Sequence, residues 1–411
     1  MTENIFAAEL PNGVTLLGQP MADVSSAALT IIVPAGESRS PEGVEGAAAV
    51  GSEWIMRGAG EMDTRGLNDA LDSLGCQHDE AARSEHIWFS ATMLGRNLAD
   101  TLGIYADVLR RPRLQDSAFE PCRTLTQQDL ASLEDEPARK CTLLLREKFY
   151  PHPLGRCVYG SERSLAGMTP AAVRDHLTRC IAPGGTIIAA AGNMDWDGFG
   201  VLAERLFGGW EGGRQAEPKP APASGGVTHI RKDSAQTHIG LAHRSVTIES
   251  PHYYPARVAE TILSGGMASR LFTEVREKRG LVYHVSCHYH SLKGYAGMIT
   301  YAGTTPQKAQ ETFDVTVGEL RRLAEGIEPD ELTRAKTQLK SALIMQGEST
   351  EARSASLAGD WHQLGRVRKL DEIADAIDRV EAGDVLAYLR HCPAEGFTVL
   401  VIGPEPVDTD K

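Results

Sequence analysis

One low-complexity break constrains this chain more than any other feature. Residues 211–226, E-G-G-R-Q-A-E-P-K-P-A-P-A-S-G-G, contain three Pro, four Gly and no large apolar side chain. A segment of that kind has nothing to bury and stays solvated. It divides the 411 residues almost evenly, and a chain of this length exceeds one ordinary hydrophobic core. The expected organisation is therefore a domain at 1–210, a linker at 211–226 and a domain at 227–411.

The two halves then read alike. In the first, Ala27–Val33 (A-A-L-T-I-I-V) has the unbroken apolar run of a buried strand. Helical periodicity follows over Val44–Met56 and again over Thr64–Leu74, ending on Gly75. His86–Met93 alternates as a strand, and Asn97–Arg110 is an amphipathic helix stopped by Pro112. The second half repeats this order: a strand at His238–His243, helices at Tyr254–Ser264 and Ser269–Lys278, strands at Val282–Tyr289 and Gly297–Tyr301, and a helix over Pro306–Leu323. Each half ends on a short apolar strand closed by Gly, Thr186–Gly192 and Thr398–Gly403. The pattern predicts an internally duplicated α+β fold: two homologous lobes, each an antiparallel-rich sheet with helices packed on one face.

Composition narrows the function classes. A formal net charge of -13 argues against a nucleic-acid surface, which needs clustered Lys and Arg. No apolar run approaches the roughly 18 residues that cross a bilayer, so no membrane partner is expected. The first residues, M-T-E-N-I-F-A-A-E, lack the basic start of a secretory signal. Seven Cys are scattered without a C-x-x-C pair, as for free thiols in a reducing compartment; a cytoplasmic location is the expectation. No phosphate loop, dinucleotide fingerprint or nucleophile–base pair is present.

The most specific motif lies in the second half: G265-G-M-A-S-R-L-F-T-E-V-R-E-K-R-G-L-V-Y283. With Gly46–Gly58, the segment Leu74–Phe89, His152-Pro-Leu-Gly155, Gly160 and Pro183–Asp195 in the first half, it resembles the pitrilysin/insulinase family of zinc peptidases over nearly the whole chain. That family's zinc site needs two His one helical turn apart, a Glu between them to deprotonate water, and a distant carboxylate. No H-x-x-E-H occurs here, and no His precedes His78. The resemblance sets Ala49 and Glu53 in the two His slots, Ser52 in the base slot and Asp129 near the distant ligand. Shifting by one residue makes Glu53 the base but leaves Val50 and Trp54 as ligands. Neither register supplies an imidazole, so no metal and no cofactor are expected in this chain. Glu53 with Asp129 could also be read as a hard-cation site or as a polar helix face. His284, His288 and His290 share one strand face, either as metal ligands or as the lining of a wet cleft.

The resemblance also implies roles for Arg276 and Tyr283. In the family an Arg and a Tyr at this spacing reach toward the zinc, the Arg holding a substrate carbonyl and the Tyr donating its hydroxyl to the tetrahedral oxyanion. From the residues alone, Arg276 could instead pair with Glu274 or Glu277 on a helix surface, and Tyr283 could pack within its strand. Family members of this size work as pairs, one bearing the zinc and the other the Arg and Tyr. The expected function is thus a non-catalytic subunit of a heterodimeric zinc metallopeptidase, inactive alone. It would act in trans with a homologous partner that carries H-x-x-E-H and zinc, on an unfolded peptide. The alternative is a structural or peptide-binding homodimer without peptidase activity.

Overall fold

The structure, a computed structural model, describes residues 3–409. The first lobe is built on six strands: β1 (Phe6–Glu9), β2 (Thr15–Pro20), β3 (Ser26–Val33), β6 (Gln77–Ala82), β7 (Ile87–Leu94) and β8 (Ile187–Gly192), with a two-residue pair β4 (Gly58–Ala59) and β5 (Met62–Asp63) standing apart. The sheet order is β1-β2-β8-β3-β7-β6. Leu29, Ile31 and Val33 of β3 point to one face, into a core with Trp54, Tyr105, Leu177 and Phe199. These come from the helices Ala47–Ile55, Leu98–Arg110, Pro170–Cys180 and Trp196–Phe207. Local chemistry sets the helix ends. Asp63 caps Thr64–Ser73 by accepting from Gly66 N at 2.8 Å, and Gly75 follows that helix at φ 61°, a left-handed position that glycine tolerates.

The second lobe has five strands: β9 (Val227–Arg231), β10 (Thr237–Arg244), β11 (Val282–Leu292), β12 (Tyr295–Thr304) and β13 (Thr398–Gly403). Their order, β9-β13-β10-β12-β11, repeats the order β2-β8-β3-β7-β6 strand for strand. The sense of every pairing also matches. β2·β8 and β9·β13 are parallel, and the three remaining pairs in each lobe are antiparallel. Ile239, Leu241, Val399 and Val401 face a core shared with Ile262, Phe313, Val317 and Tyr388. The two α+β lobes read from the sequence are present; among the described residues β1 and the β4–β5 pair of the first lobe have no counterpart in the second.

The opposite face of each sheet is where structure and expectation differ. Helices on one face describe the main layer only; each sheet carries one more helix behind it, drawn from the other half of the sequence. Gln346–Lys369 belongs to the first compact unit, and Ser132–Gly155 to the second. Leu357 and Ala358 of the helix Thr350–Leu364 cover Leu17, Ile32 and Ala189. Cys141 and Leu145 of the helix Pro137–Phe149 cover Ala242, Ile299, Leu400 and Ile402. The compact units therefore do not follow the linear division at 1–210 and 227–411. Burial on both faces also explains why β3 and β10 read as nearly continuous apolar runs rather than alternating ones.

Residues 211–226 are mostly exposed and form no helix or strand, apart from one bridge between Ala221 and His152. All seven Cys are unpaired, five of them buried. Among the described residues no helix is long and apolar enough to cross a membrane.

Candidate functional site

The helix Ala47–Ile55 carries the residues that the resemblance sets in the zinc-helix slots, and eight of its nine residues are buried. Gly46 precedes it at φ 92°, and a buried carboxyl from an adjoining turn holds its start. Glu37, with no exposed surface, accepts from Gly46 N at 3.0 Å and from Ser40 Oγ at 2.9 Å. Burial pushes its pKa up to about 8.

The slot residues do not fit a zinc ion. Ala49 carries no donor. The Ser52 hydroxyl donates to Ala49 O at 2.9 Å and is thus engaged by its own helix. Glu53 pairs with Arg57 at 3.2 Å, so the slot already contains a cation of its own. Desolvation raises the Glu53 pKa, and the negative charges of Glu80 and Asp129 raise it further. Asp129, on the helix Asp116–Ser132, thus acts on Glu53 through its charge. Around Glu53 stand the Arg57 guanidinium and the charges of Glu80 and Asp129, a set that supplies no imidazole for zinc. Among the described residues no group of three or more His, Cys, Asp or Glu is arranged to hold a metal ion.

The three strand histidines do not form a ligand set. His290 Nδ1 lies 2.7 Å from the Tyr150 hydroxyl, and burial lowers its pKa to about 3. His284 is exposed, with its ring 5.8 Å from that of Tyr301. His288 is also exposed, and its Nδ1 stands 3.8 Å from Glu260 Oε1. Each has its own neighbour: His284 and His288 stand at the surface, and His290 is desolvated against Tyr150.

Arg276 and Tyr283, by contrast, are brought together. The expected helix over Ser269–Lys278 contains a π-helical segment, Phe272–Glu277, marked by the bond from Lys278 N to Thr273 O at 2.9 Å. Widened turns of this type cluster at functional sites. The chain leaves the segment through Gly280 at φ 57°, with Gly280 N and Leu281 N bonded back to Arg276 O and Val275 O at 3.0 Å each. That reversal starts β11 and returns Tyr283 to Arg276. The guanidinium carbon lies 5.0 Å from the Tyr283 ring centroid and 4.8 Å from that of Phe272. Tyr283 is 82% exposed, so its hydroxyl is open to a ligand.

Charge pairing within this turn is selective. Glu274 takes Lys278 at 2.6 Å and Arg279 at 2.8 Å, and those hydrogen bonds lower its pKa to about 2. Among the described residues Arg276 has no carboxylate partner, so the ion pair with Glu274 or Glu277 that sequence alone allowed is not formed. Two aromatic faces hold its charge instead, each such contact contributing about 0.5–1 kcal/mol at an exposed site. Sequence reasoning missed Phe272, although an aromatic four residues before Arg276 was a legible spacing.

Comparison with known proteins agrees with this geometry. Residues 14–162 match the model of Insulinase (Peptidase family M16), and residues 167–339 match that of the Peptidase M16 inactive domain. An uncharacterized zinc protease of Rickettsia felis is 28% identical over 98% of both chains. One of Bacillus subtilis is 26% identical, covering 96% of this chain and 97% of its own. A peptidase M16 inactive domain from Pseudomonas fluorescens superposes with a TM-score of 0.90 at 20% identity, covering 99% of this chain and 100% of its own. A protease from Helicobacter pylori gives 0.90 at 16%, covering 98% and 100%. The duplicated lobes and the two family models that match them have one explanation: this chain, which carries no H-x-x-E-H, belongs to the insulinase family of peptidases, M16.

Proposed function

We propose that this chain is the non-catalytic subunit of a heterodimeric zinc metallopeptidase, binding peptide and stabilising the transition state for a partner that bears H-x-x-E-H. The observation that carries this reading is the Arg276 guanidinium, free of any carboxylate among the described residues and set beside the exposed Tyr283 hydroxyl. A cation held without a counter-charge is ready for a peptide carbonyl, and a phenol beside it can donate to a developing oxyanion. The zinc belongs to the partner, and the substrate is an unfolded peptide.

The test is cleavage of a fluorogenic peptide by the reconstituted pair, with the zinc-bearing homologue unchanged. Arg276→Ala is expected to raise KM more than it lowers kcat. Tyr283→Phe removes one hydroxyl and is expected to lower kcat by about 10²-fold with little change in KM. Turnover within a factor of two for Tyr283→Phe, with assembly intact, would leave the chain a scaffold.

A further inference from the structure

Phe272 is a large apolar side chain that the fold does not use for its core. It is absent from the buried cluster of the second lobe and from the half-buried residues packed on that cluster, although its neighbours Leu271 and Val275 belong to the cluster. Its ring makes one specific contact, with the Arg276 guanidinium at 4.8 Å. The same guanidinium lies 5.0 Å from the ring of Tyr283. The backbone between them is fixed independently of either ring, through the bonds from Lys278 N, Gly280 N and Leu281 N.

We infer that Phe272 is a positioning residue, whose ring holds the Arg276 guanidinium in the orientation that presents its N–H groups to a peptide carbonyl. The inference rests on the functional reading of Arg276 and Tyr283. Arg276 is a long side chain with many rotamers and no ion pair to select one. The Lys278 and Arg279 side chains on the same turn are selected by Glu274. Among the described residues, the contacts of the Arg276 guanidinium are with the rings of Phe272 and Tyr283. Tyr283 cannot do both jobs well, because its hydroxyl must stay free to meet substrate while its face restrains the cation. Phe272 has no polar atom and can serve as a fixed wall. The ring does not touch substrate in this scheme and acts only through Arg276.

Two measurements test the inference separately from the function it rests on. The first uses the isolated chain: the side-chain Nε–H order parameter of Arg276 by NMR, assigned by its loss in Arg276→Lys. Phe272→Leu is expected to lower that order clearly, and Phe272→Trp to retain it, with the thermal midpoint of both variants near that of the wild type. Unchanged order in Phe272→Leu overturns the inference. The second uses the reconstituted pair. Phe272→Leu is expected to lower kcat/KM by about 10–100-fold, mainly through KM, as misplacement of a positioning group does. Phe272→Trp should recover most of it, and Phe272→Leu added to Arg276→Ala should cost nothing more. A further loss in that double variant means that Phe272 acts by another route, and also overturns the inference. If Arg276→Ala leaves cleavage unchanged while Arg276 loses order in Phe272→Leu, the proposed function fails and the positioning role stands.

Discussion

Thr30, in the first sheet, and Ser354, on the helix behind it, share a buried hydrogen bond of 2.8 Å across 324 residues of sequence. Ser354 Oγ also donates to Glu351 O at 3.0 Å, which makes Thr30 the donor of the pair. Ser354→Ala strands the Thr30 hydroxyl in an apolar layer and is expected to cost about 1–3 kcal/mol. Thr30→Val in the same chain removes the stranded group, so the double variant should recover part of the loss. Chemical denaturation of the four chains of the cycle measures it; strict additivity would show that the bond contributes nothing.

Gly240 of β10 performs a related task in the second lobe without a polar group. A Cβ there would come within 3.0 Å of Cys141 Sγ and 3.1 Å of Leu145 Cδ2. Gly240→Val should therefore push the helix Pro137–Phe149 off the sheet at a cost of about 1–3 kcal/mol. Gly103, which would meet nothing within 4 Å, provides the control as Gly103→Ala, whose midpoint should not fall.

Glu37 makes a prediction about pH. Its folded pKa of about 8 stands above the ordinary 4.5, so between those values the folded chain keeps a proton that the unfolded chain releases. Stability from this group is therefore greatest below about pH 4.5 and falls as pH rises toward 8. The buried histidines work in the opposite sense at lower pH. His176 and His243, lowered to about 4 by burial, cost stability as pH falls below 6.5. His78, whose pKa Glu80 raises above 6.5, also titrates between pH 6.5 and 8.5, so Glu37 is isolated by comparison of Glu37→Gln with the wild type over that window. Over it the thermal midpoint of Glu37→Gln should rise relative to the wild type, because the amide never ionises. A constant difference between the two chains across that window would refute the assignment.

The slot formed by Ala49, Ser52 and Glu53 leads to a simpler expectation. Purified alone, the chain should contain no stoichiometric zinc and should not cleave peptides. Elemental analysis showing about one tightly held Zn²⁺ per chain, with chelator-sensitive hydrolysis, would contradict the donor chemistry described here.

Much of this was legible in the residues because burial and turn chemistry are local. The run Ala27–Val33, which lies in β3, Gly75 after its helix and the terminal strand Thr398–Gly403 are where the patterns put them. The destination of a helix is not local. Nothing in Pro137–Phe149 states that Cys141 and Leu145 face Ala242, Ile299 and Leu400, far along the chain, because an apolar stripe fits any apolar face of suitable width. The π turn at Phe272–Glu277 was hidden for a similar reason, since one extra residue in a turn hardly alters a short apolar period. The Arg276–Tyr283 pair was found through family resemblance, and the aromatic wall behind Arg276 through structure alone.

The reciprocal loan of a helix has a consequence for how the chain can be cut. The exposed stretch 211–226 invites a protease, but a break there would not liberate two self-sufficient proteins. Fragment 1–210 would lack the helix behind its own sheet and carry an orphaned one, and fragment 227–411 would be in the same position. Each is the missing part of the other. Expressed separately they should aggregate, whereas mixed they should rebuild the native protein. The linker, for all its accessibility, is a place where the backbone can be opened without dividing the molecule.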